Sequence, residues 1–415
     1  MTVDAIAAAP RPPADFNPID QAFLADPYPM LKRLSEECPV FFSPELGFWG
    51  VMRYDDIAPV LADFETFSNA SVRFPPIPED LAARVPDGFF SKAFIAMDPP
   101  EHTKYRKEGN RGFTRGRMKE LEEPVRAIAN ELIDGIIDRG ACDFMHEYGY
   151  ALTVRTIMQL LDIPVEKMEI MRALAEDFPS IVQDGIDPMP PDERHERWAR
   201  MVEVREYFAA MVEERRANPG EDMVSVLSGT KDEDGGYVFD TQRLVTHMTE
   251  FIFGGTDTTA NLMAFTIQLL DQDPAQREQV LADPSLIDNT IEEVLRRRSP
   301  TVGIFKTTTR EVEVGGITIP AGALVWLAIA AAAHDPERFP EPERFDIHRT
   351  NAKDHMTFGK GRHFCIGAPL TRTEARVGLE VLFERLPGLR VVPGQQLEFQ
   401  PILLTNVLQG LDVTW

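Results

Sequence analysis

From Thr241 to Gln272 apolar residues recur at helical spacing with no proline among them, and no other stretch restricts the fold as strongly. At 1.5 Å per residue such a helix is about 45 Å long, enough to cross a whole domain. Helical patterning surrounds it from about Glu101 to Arg298, broken at Asp162-Ile163-Pro164, at Asp187-Pro188-Met189-Pro190-Pro191, at Asn218-Pro219-Gly220 and at Asp273-Pro274. Pro39 to Met52, β-branched and aromatic around Pro44 and Gly47, predicts a hairpin. A second is expected from Glu311 to Ile319 around Gly315-Gly316, and Pro320-Ala321-Gly322 leads into a further apolar strand. A last helix is expected over about Pro369 to Leu386, followed by a β-rich end from Leu397 to Trp415. The fold class expected is mostly α with small β-sheets. The 415 residues hold no internal repeat and no low-complexity linker. One large domain is therefore expected over residues 18–415, after a mobile Pro-rich segment over 1–17.

Composition narrows the function classes. Hydrophobic residues are 43% of the chain and charged residues 27%, the balance of a folded globular protein. The formal charge of −24 repels phosphate backbones, so no nucleic-acid partner is expected. Cys38, Cys142 and Cys365 are too few and too odd a set for a disulfide framework, which fits a reducing cytoplasm. Met1 to Pro13 has neither the basic region nor the apolar run of a signal peptide, and no window has the ~18 unbroken apolar residues of a spanning helix. A soluble protein without a membrane anchor is expected.

The chemistry concentrates in Phe358-Gly359-Lys360-Gly361-Arg362-His363-Phe364-Cys365-Ile366-Gly367. Glycines at alternate positions imply a tight loop with close backbone approach. Bare N–H groups, Lys360, Arg362, His363 and the start of the following helix all favour a thiolate. A lone cysteine is often only a small buried hydrophobe. A zinc site would need further ligands at short spacing, and a catalytic thiol would need an oriented base, for which His363 is too near in sequence. A solitary thiolate in a Gly-rich loop before a helix fits a haem iron ligand. In the long helix, Gly254-Gly255-Thr256-Asp257-Thr258-Thr259 is the second constellation. Two mid-helix glycines cost roughly 1 kcal/mol each relative to alanine. Thr258 can bond the Gly254 carbonyl and open a small polar niche, or the glycines can serve close helix packing with the threonines on a neutral face. The motif alone leaves both readings open.

With these residues in view, the chain resembles the cytochrome P450 family in its soluble bacterial form. The pattern Phe-Gly-x-Gly-x-His-x-Cys-x-Gly is matched at each fixed position from Phe358 to Gly367, and the resemblance spans nearly the whole sequence. It implies a single cytochrome P450-like catalytic domain with the long helix over haem b. Cys365 is then the axial thiolate, Phe358 packs near its sulfur, and Gly359 and Gly367 frame the cofactor loop. His363, His102 and Arg106 are placed on haem propionates. Gly254 and Gly255 line the oxygen site, where Asp257 and Thr258 relay protons. The family's usual arginine ahead of the second hairpin is Lys306 here, which keeps the charge and loses the bidentate fork. Glu293 and Arg296 resemble the family's buried Glu-x-x-Arg pair, expected to be completed by Arg344 of Pro342-Glu343-Arg344-Phe345.

The activity implied is insertion of one oxygen atom from O2 into a C–H bond, or oxidative demethylation, of a small, largely apolar organic substrate. Phe74, Phe89, Phe90 and Phe94 in a Pro-rich loop agree with an apolar pocket. No nucleotide-binding fingerprint follows a strand, so electrons must come from NAD(P)H through a separate ferredoxin and its reductase. A basic run, Lys104, Arg106, Lys107, Arg111, Arg115, Arg117 and Lys119 against Glu108, joins Lys360 and Arg362 as the expected docking patch, with a plain solvated face as the bland reading. A peroxide-driven haem oxygenase or a non-catalytic haem sensor would share the fold. Glu250 lies on the face of Gly254 and Thr258 and needs a partner if buried. His247 is the structural candidate, and a substrate hydroxyl or amine is the functional one.

Overall fold

The computed structural model describes residues 9–70, 77–85, 92–184 and 188–415. Phe74, Phe89 and Phe90 fall outside the described residues. The helices that position the site are α1 (Tyr54–Ala62), α2 (Glu101–Gly109), α3 (Arg115–Asp134), α4 (Tyr150–Leu161), α5 (Met168–Gln183), α6 (Pro191–Ala217), α7 (Thr241–Gln272), α8 (Ile287–Arg297) and α9 (Ala368–Arg385). The strands are β1 (Val40–Ser43), β2 (Phe48–Val51), β3 (Phe67–Ser68), β4 (Ala141–Asp143), β5 (Ile304–Thr308), β6 (Val312–Val314), β7 (Ile317–Ile319), β8 (Leu324–Leu327), β9 (Arg390–Val391) and β10 (Asp412–Thr414). They form a five-stranded sheet in the order β1-β2-β8-β5-β3, a three-stranded sheet β4-β10-β9 and the hairpin β6-β7. The fold is mostly helical with small sheets. Among the described residues no helix is long and apolar enough to cross a membrane.

The long helix organises the interior. Asp240 caps α7 by accepting the Arg243 N–H at 2.7 Å, and Asp273-Pro274 ends it. Its first half, Leu244 to Ile252, joins an apolar core with α4, α5 and α6. Its second half, Ala260 to Leu270, joins another core with α3, α8 and α9. Between these halves Gly254–Thr259 contributes no apolar side chain to either core. Burial of both halves fixes the helix despite the glycines, because tertiary packing outweighs propensity.

One expectation is extended and another corrected. Within the N-terminal segment expected to be mobile, residues 9–17 make contacts with the folded domain. Ala9 is buried, Phe42 N donates to the Pro10 carbonyl at 2.9 Å, and Phe16 packs edge-on against Phe23 and Phe41. Aromatic burial ties down a Pro-rich stretch that composition alone would leave free. The β-rich end is also thinner than expected, with β10 and isolated bridges such as Phe399 to Leu408. Side chains there take backbone groups that a ladder would use: Phe399 N donates to Gln21 and Leu408 N to Asn261.

A second correction concerns the buried ion network behind the cysteine loop. Glu293 and Arg296 are wholly buried and paired at 2.7 Å. The second cation on Glu293 is Arg349, at 3.1 Å, and not Arg344. The Arg344 side chain is exposed, and only its carbonyl enters the network, accepting from Arg296 and Arg349. Arg349 lies on the turn after Phe345 and also donates to the Pro340 and Glu341 carbonyls. A charge left alone inside a protein costs far more than the pair contributes. Arg349→Ala should therefore cost about 3–5 kcal/mol in denaturant unfolding, whereas Arg344→Ala should stay within about 0.5 kcal/mol.

Candidate active site

The loop from Phe358 to Gly367 turns sharply because Gly359 (φ 69°) and Gly361 (φ 71°) adopt left-handed conformations. A side chain at Gly361 would also approach the Leu61 carbonyl of α1 to 3.0 Å. Cys365 N donates to the Phe358 carbonyl at 2.8 Å and closes the loop, and α9 begins three residues later. Burial pushes the Cys365 thiol up. The Gly367 and Ala368 N–H groups and the Arg106 and Arg372 guanidiniums act in the opposite sense. A bound metal cation would complete that opposition and hold the sulfur as thiolate.

The loop is clamped from behind by α8. Glu292, adjacent to Glu293, accepts from His355 at 3.1 Å and from Arg372 at 2.5 Å. These partners hold its pKa at about 2 even though burial alone would raise it. The Thr357 hydroxyl donates to the Leu295 carbonyl at 2.8 Å, and Arg372 stacks 4.5 Å over the Phe358 ring. Glu292, Arg349 and Arg372 were not among the residues selected from sequence. Nothing in spacing separates Glu292 from an ordinary helix carboxylate.

Beside the loop lies a basic cluster in which His102 and Lys306 are buried and Arg106 and His363 half-buried. His102, one residue into α2, has neither ring nitrogen hydrogen-bonded among the described residues, and its ring lies 4.0 Å from that of His363. Lys306 on β5 is 3% exposed and donates to Asn69 Oδ1. That cation can only donate, so the Asn69 amide is oriented with Nδ2 toward Ile95 O at 2.9 Å and His363 Nδ1 at 3.2 Å. His363 Nδ1 is thereby an acceptor, and its unpartnered Nε2 carries the hydrogen. Arg106 donates to Asn110 and to the Phe364 carbonyl. Burial, with the neighbouring cations, lowers His102 to about 4 and His363 to about 2, and burial lowers Lys306 to about 8. Among the described residues no carboxylate is hydrogen-bonded to any of the four. Such a set fits an anionic group, and its convergence beside Cys365 fits a carboxylate-bearing planar cofactor such as haem b.

Across from the loop, the two glycines of α7 differ. A side chain at Gly255 would meet Ile157 Cδ1 of α4 at 2.2 Å, so Gly255 serves close packing. Gly254 has nothing within 4 Å in that direction. The Thr258 hydroxyl donates to the Gly254 carbonyl at 2.8 Å and stays partly exposed. Thr259 turns away and bonds Thr371 of α9 at 3.2 Å. Close packing thus applies to Gly255, while the Thr258 bond to the Gly254 carbonyl is made within a continuous helix. Asp257 is buried and lines a cavity of about 520 Å³ together with Arg172, Glu176 and Arg197. Burial, then the Glu176 charge, pushes its carboxyl up to about 7. Glu250 takes the structural option: Oε2 accepts from His247 Nδ1 and Phe94 N, each at 2.9 Å, and Oε1 from Ile95 N at 3.1 Å.

Comparison with known proteins places this geometry in a family. The family model described as Cytochrome P450 matches residues 166–404, more than half of the chain. The chain is 34% identical over 416 residues to the cytochrome P450 monooxygenase PikC of Streptomyces venezuelae, covering 98% of this chain and 95% of that protein. It is 34% identical over 396 residues to the vitamin D(3) 25-hydroxylase of Pseudonocardia autotrophica, with 94% of each covered. The solved structure of cytochrome P450 CREJ in complex with (4-ethylphenyl) dihydrogen phosphate superposes with a TM-score of 0.88 at 27% identity, covering 97% of this chain and 99% of that one. The chain belongs to the cytochrome P450 family. It is a cytochrome P450 monooxygenase, and the cofactor of that family is haem b.

Proposed function

We propose that Cys365 is the thiolate ligand of the haem iron, and that the enzyme inserts one oxygen atom of O2 into a C–H bond, or demethylates oxidatively, on a small and largely apolar organic molecule. The observation that carries this reading is the pairing of the closed Cys365 loop with a partly buried basic cluster to which, among the described residues, no carboxylate is hydrogen-bonded. When bound, haem supplies the dioxygen and one-electron chemistry. Arg106 and Lys306 would neutralise its propionates, and the neutral rings of His102 and His363 would donate hydrogen bonds to them, the His363 Nε2 hydrogen among these. Phe358, held by Arg372, shields the sulfur, and Gly359 and Gly367 let the backbone approach closely. Gly254 leaves room over the cofactor, and Gly255 lets α7 and α4 pack closely enough to keep it there. Vitamin D(3), named for one relative, is an apolar precedent for the substrate class.

Protons are supplied by the Asp257 and Thr258 pair. A carboxyl with a pKa of about 7 both holds and releases a proton near neutral pH, the range in which general acids work best. Thr258 donates its hydroxyl hydrogen inward to Gly254, leaving its lone pairs to orient a water on the open side. Electrons come from NAD(P)H through a ferredoxin reductase and a ferredoxin in the cytoplasm. Lys104, Lys107, Arg111 and Arg115 stand exposed on α2 and at the start of α3. Arg106 on α2 ties this run to Phe364, so it adjoins the exposed Lys360 and Arg362. Arg111 is already engaged by Glu108 and Thr230, and Arg117 by the Glu221 carbonyl, which makes Lys107 and Arg115 the cleaner probes.

Cys365→Ser tests the central claim: the reduced, carbon-monoxide-bound protein should lose the thiolate spectrum, and oxygenation should cease. Wild-type activity and spectrum in that variant would overturn the assignment. The acid is protonated below its pKa, so product formation at saturating donor should fall as pH rises through about 7. Asp257→Asn should lose that limb and run about 10²-fold slower or more. Lys107→Glu and Arg115→Glu should slow stopped-flow electron transfer from ferredoxin by about tenfold at low salt, and less as salt screens the encounter, with substrate affinity unchanged.

A further inference from the structure

Ile95 combines two features that do not ordinarily go together. The residue is 48% exposed, although both its N–H and its carbonyl are hydrogen-bonded to side chains of other segments. Its N–H is held by Glu250 Oε1 of α7, and its carbonyl by Asn69 Nδ2, the amide that also contacts His363 and Lys306. The preceding residue is held as firmly. Phe94 N donates to Glu250 Oε2, and the Phe94 ring stacks 3.7 Å from the His247 ring. Three residues on, Asp98 accepts from the Ser68 hydroxyl and from Asn69 N. The peptide of Ile95 thus bridges the turn of α7 just before Gly254 and the basic cluster beside Cys365. An apolar side chain kept exposed by a backbone fixed at both ends is a wall built to meet an apolar occupant.

We propose that Glu250 is a positioning residue for substrate selection: its carboxylate, oriented by His247, clamps two successive peptide N–H groups and so fixes Ile95 as a rigid wall of the substrate cavity. Three of the roughly four acceptor sites of the carboxylate are taken by protein donors, which favours a hold on the backbone over one on a substrate hydroxyl or amine. The clamp acts on geometry through Ile95, and it neither touches the reacting atoms nor alters the cysteine loop. Glutamine at 250 keeps the size but replaces one acceptor with a donor, so one of the two amides must face another N–H group. A charge-assisted bond to a buried amide is then lost without emptying the core. The proposal rests on the reading of Cys365 as the haem ligand with the cavity beside Gly254.

The test uses the haem-loaded protein and two probes, imidazole and 4-phenylimidazole, which share the iron-binding ring and differ in the apolar ring that reaches the wall. In Glu250→Gln the carbon-monoxide spectrum and imidazole affinity should match wild type. The 4-phenylimidazole affinity should weaken by about fivefold or more, the scale of a lost apolar contact. Amide hydrogen exchange at Phe94 and Ile95 should quicken by about tenfold or more while α7 and α9 exchange as before. Ile95→Ala should reproduce the affinity change with the exchange of Phe94 unaltered, and it decides the matter alone if Glu250→Gln does not fold. Unchanged exchange at both amides, equal losses for both probes, or an Ile95→Ala variant with wild-type 4-phenylimidazole affinity would overturn the proposal. A wild-type protein without a thiolate-type spectrum would instead defeat the reading of the site.

Discussion

Two neighbouring carboxylates on α8 carry the cysteine side of the molecule. Glu293 faces Arg296 and Arg349 and gathers the carbonyls of residues 340–344 through those guanidiniums. Glu292, a hundred degrees around the same helix, faces His355 and Arg372 and so fixes the two ends of the Cys365 loop. The loop has little apolar area of its own, and its left-handed glycines contribute freedom rather than rigidity. What makes it a single conformation is that both flanks are hydrogen-bonded to one buried helix. Burying four charges is costly in general, and it is sustained here because nearly every donor and acceptor is matched.

The helical skeleton was legible in the sequence because its signals are local. The span of α7, the hairpin β6-β7 and helix α9 follow from periodicity, turn glycines and proline stops. The cysteine loop was legible for the same reason, since its chemistry is packed into ten consecutive residues. What escaped were relations between distant segments. Arg349 and Arg344 are five residues apart and chemically identical, and only the path of the chain after Phe345 decides which guanidinium turns inward. Asn69 carries no motif, yet it bonds β5, the cysteine loop and the segment before α2. Residues 9–17 looked like a free terminus because the partners of Phe16 lie as far away as Phe41 and Trp326.

The central helix also shows how one motif serves two demands. Gly255 and Gly254 are adjacent, so they point about a hundred degrees apart, one into α4 and the other into open space. Thr258 and Thr259 repeat that division one turn later, one hydroxyl mending the helix and the other joining it to α9. Asp257 points elsewhere, into a charged cavity, and the acid and the alcohol therefore address different surroundings. In the proposed relay a proton passing between them would cross the helix, which would make the local geometry of Gly254 to Thr258 part of the chemistry.

Asn69 and Lys306 have a consequence for how this chain can change. The Asn69 amide spends both of its hydrogens and one acceptor site: its oxygen accepts from Lys306, and its nitrogen serves Ile95 and His363. An arginine at 306 would bring a planar fork of five donors to a single acceptor that a point-like ammonium satisfies. Residues 306 and 69 share a hydrogen bond, and substitutions at contacting positions of this kind are in general not additive. Drift at one position would be felt in the other's tolerance, and through the Ile95 carbonyl it would reach the repertoire of molecules the enzyme accepts.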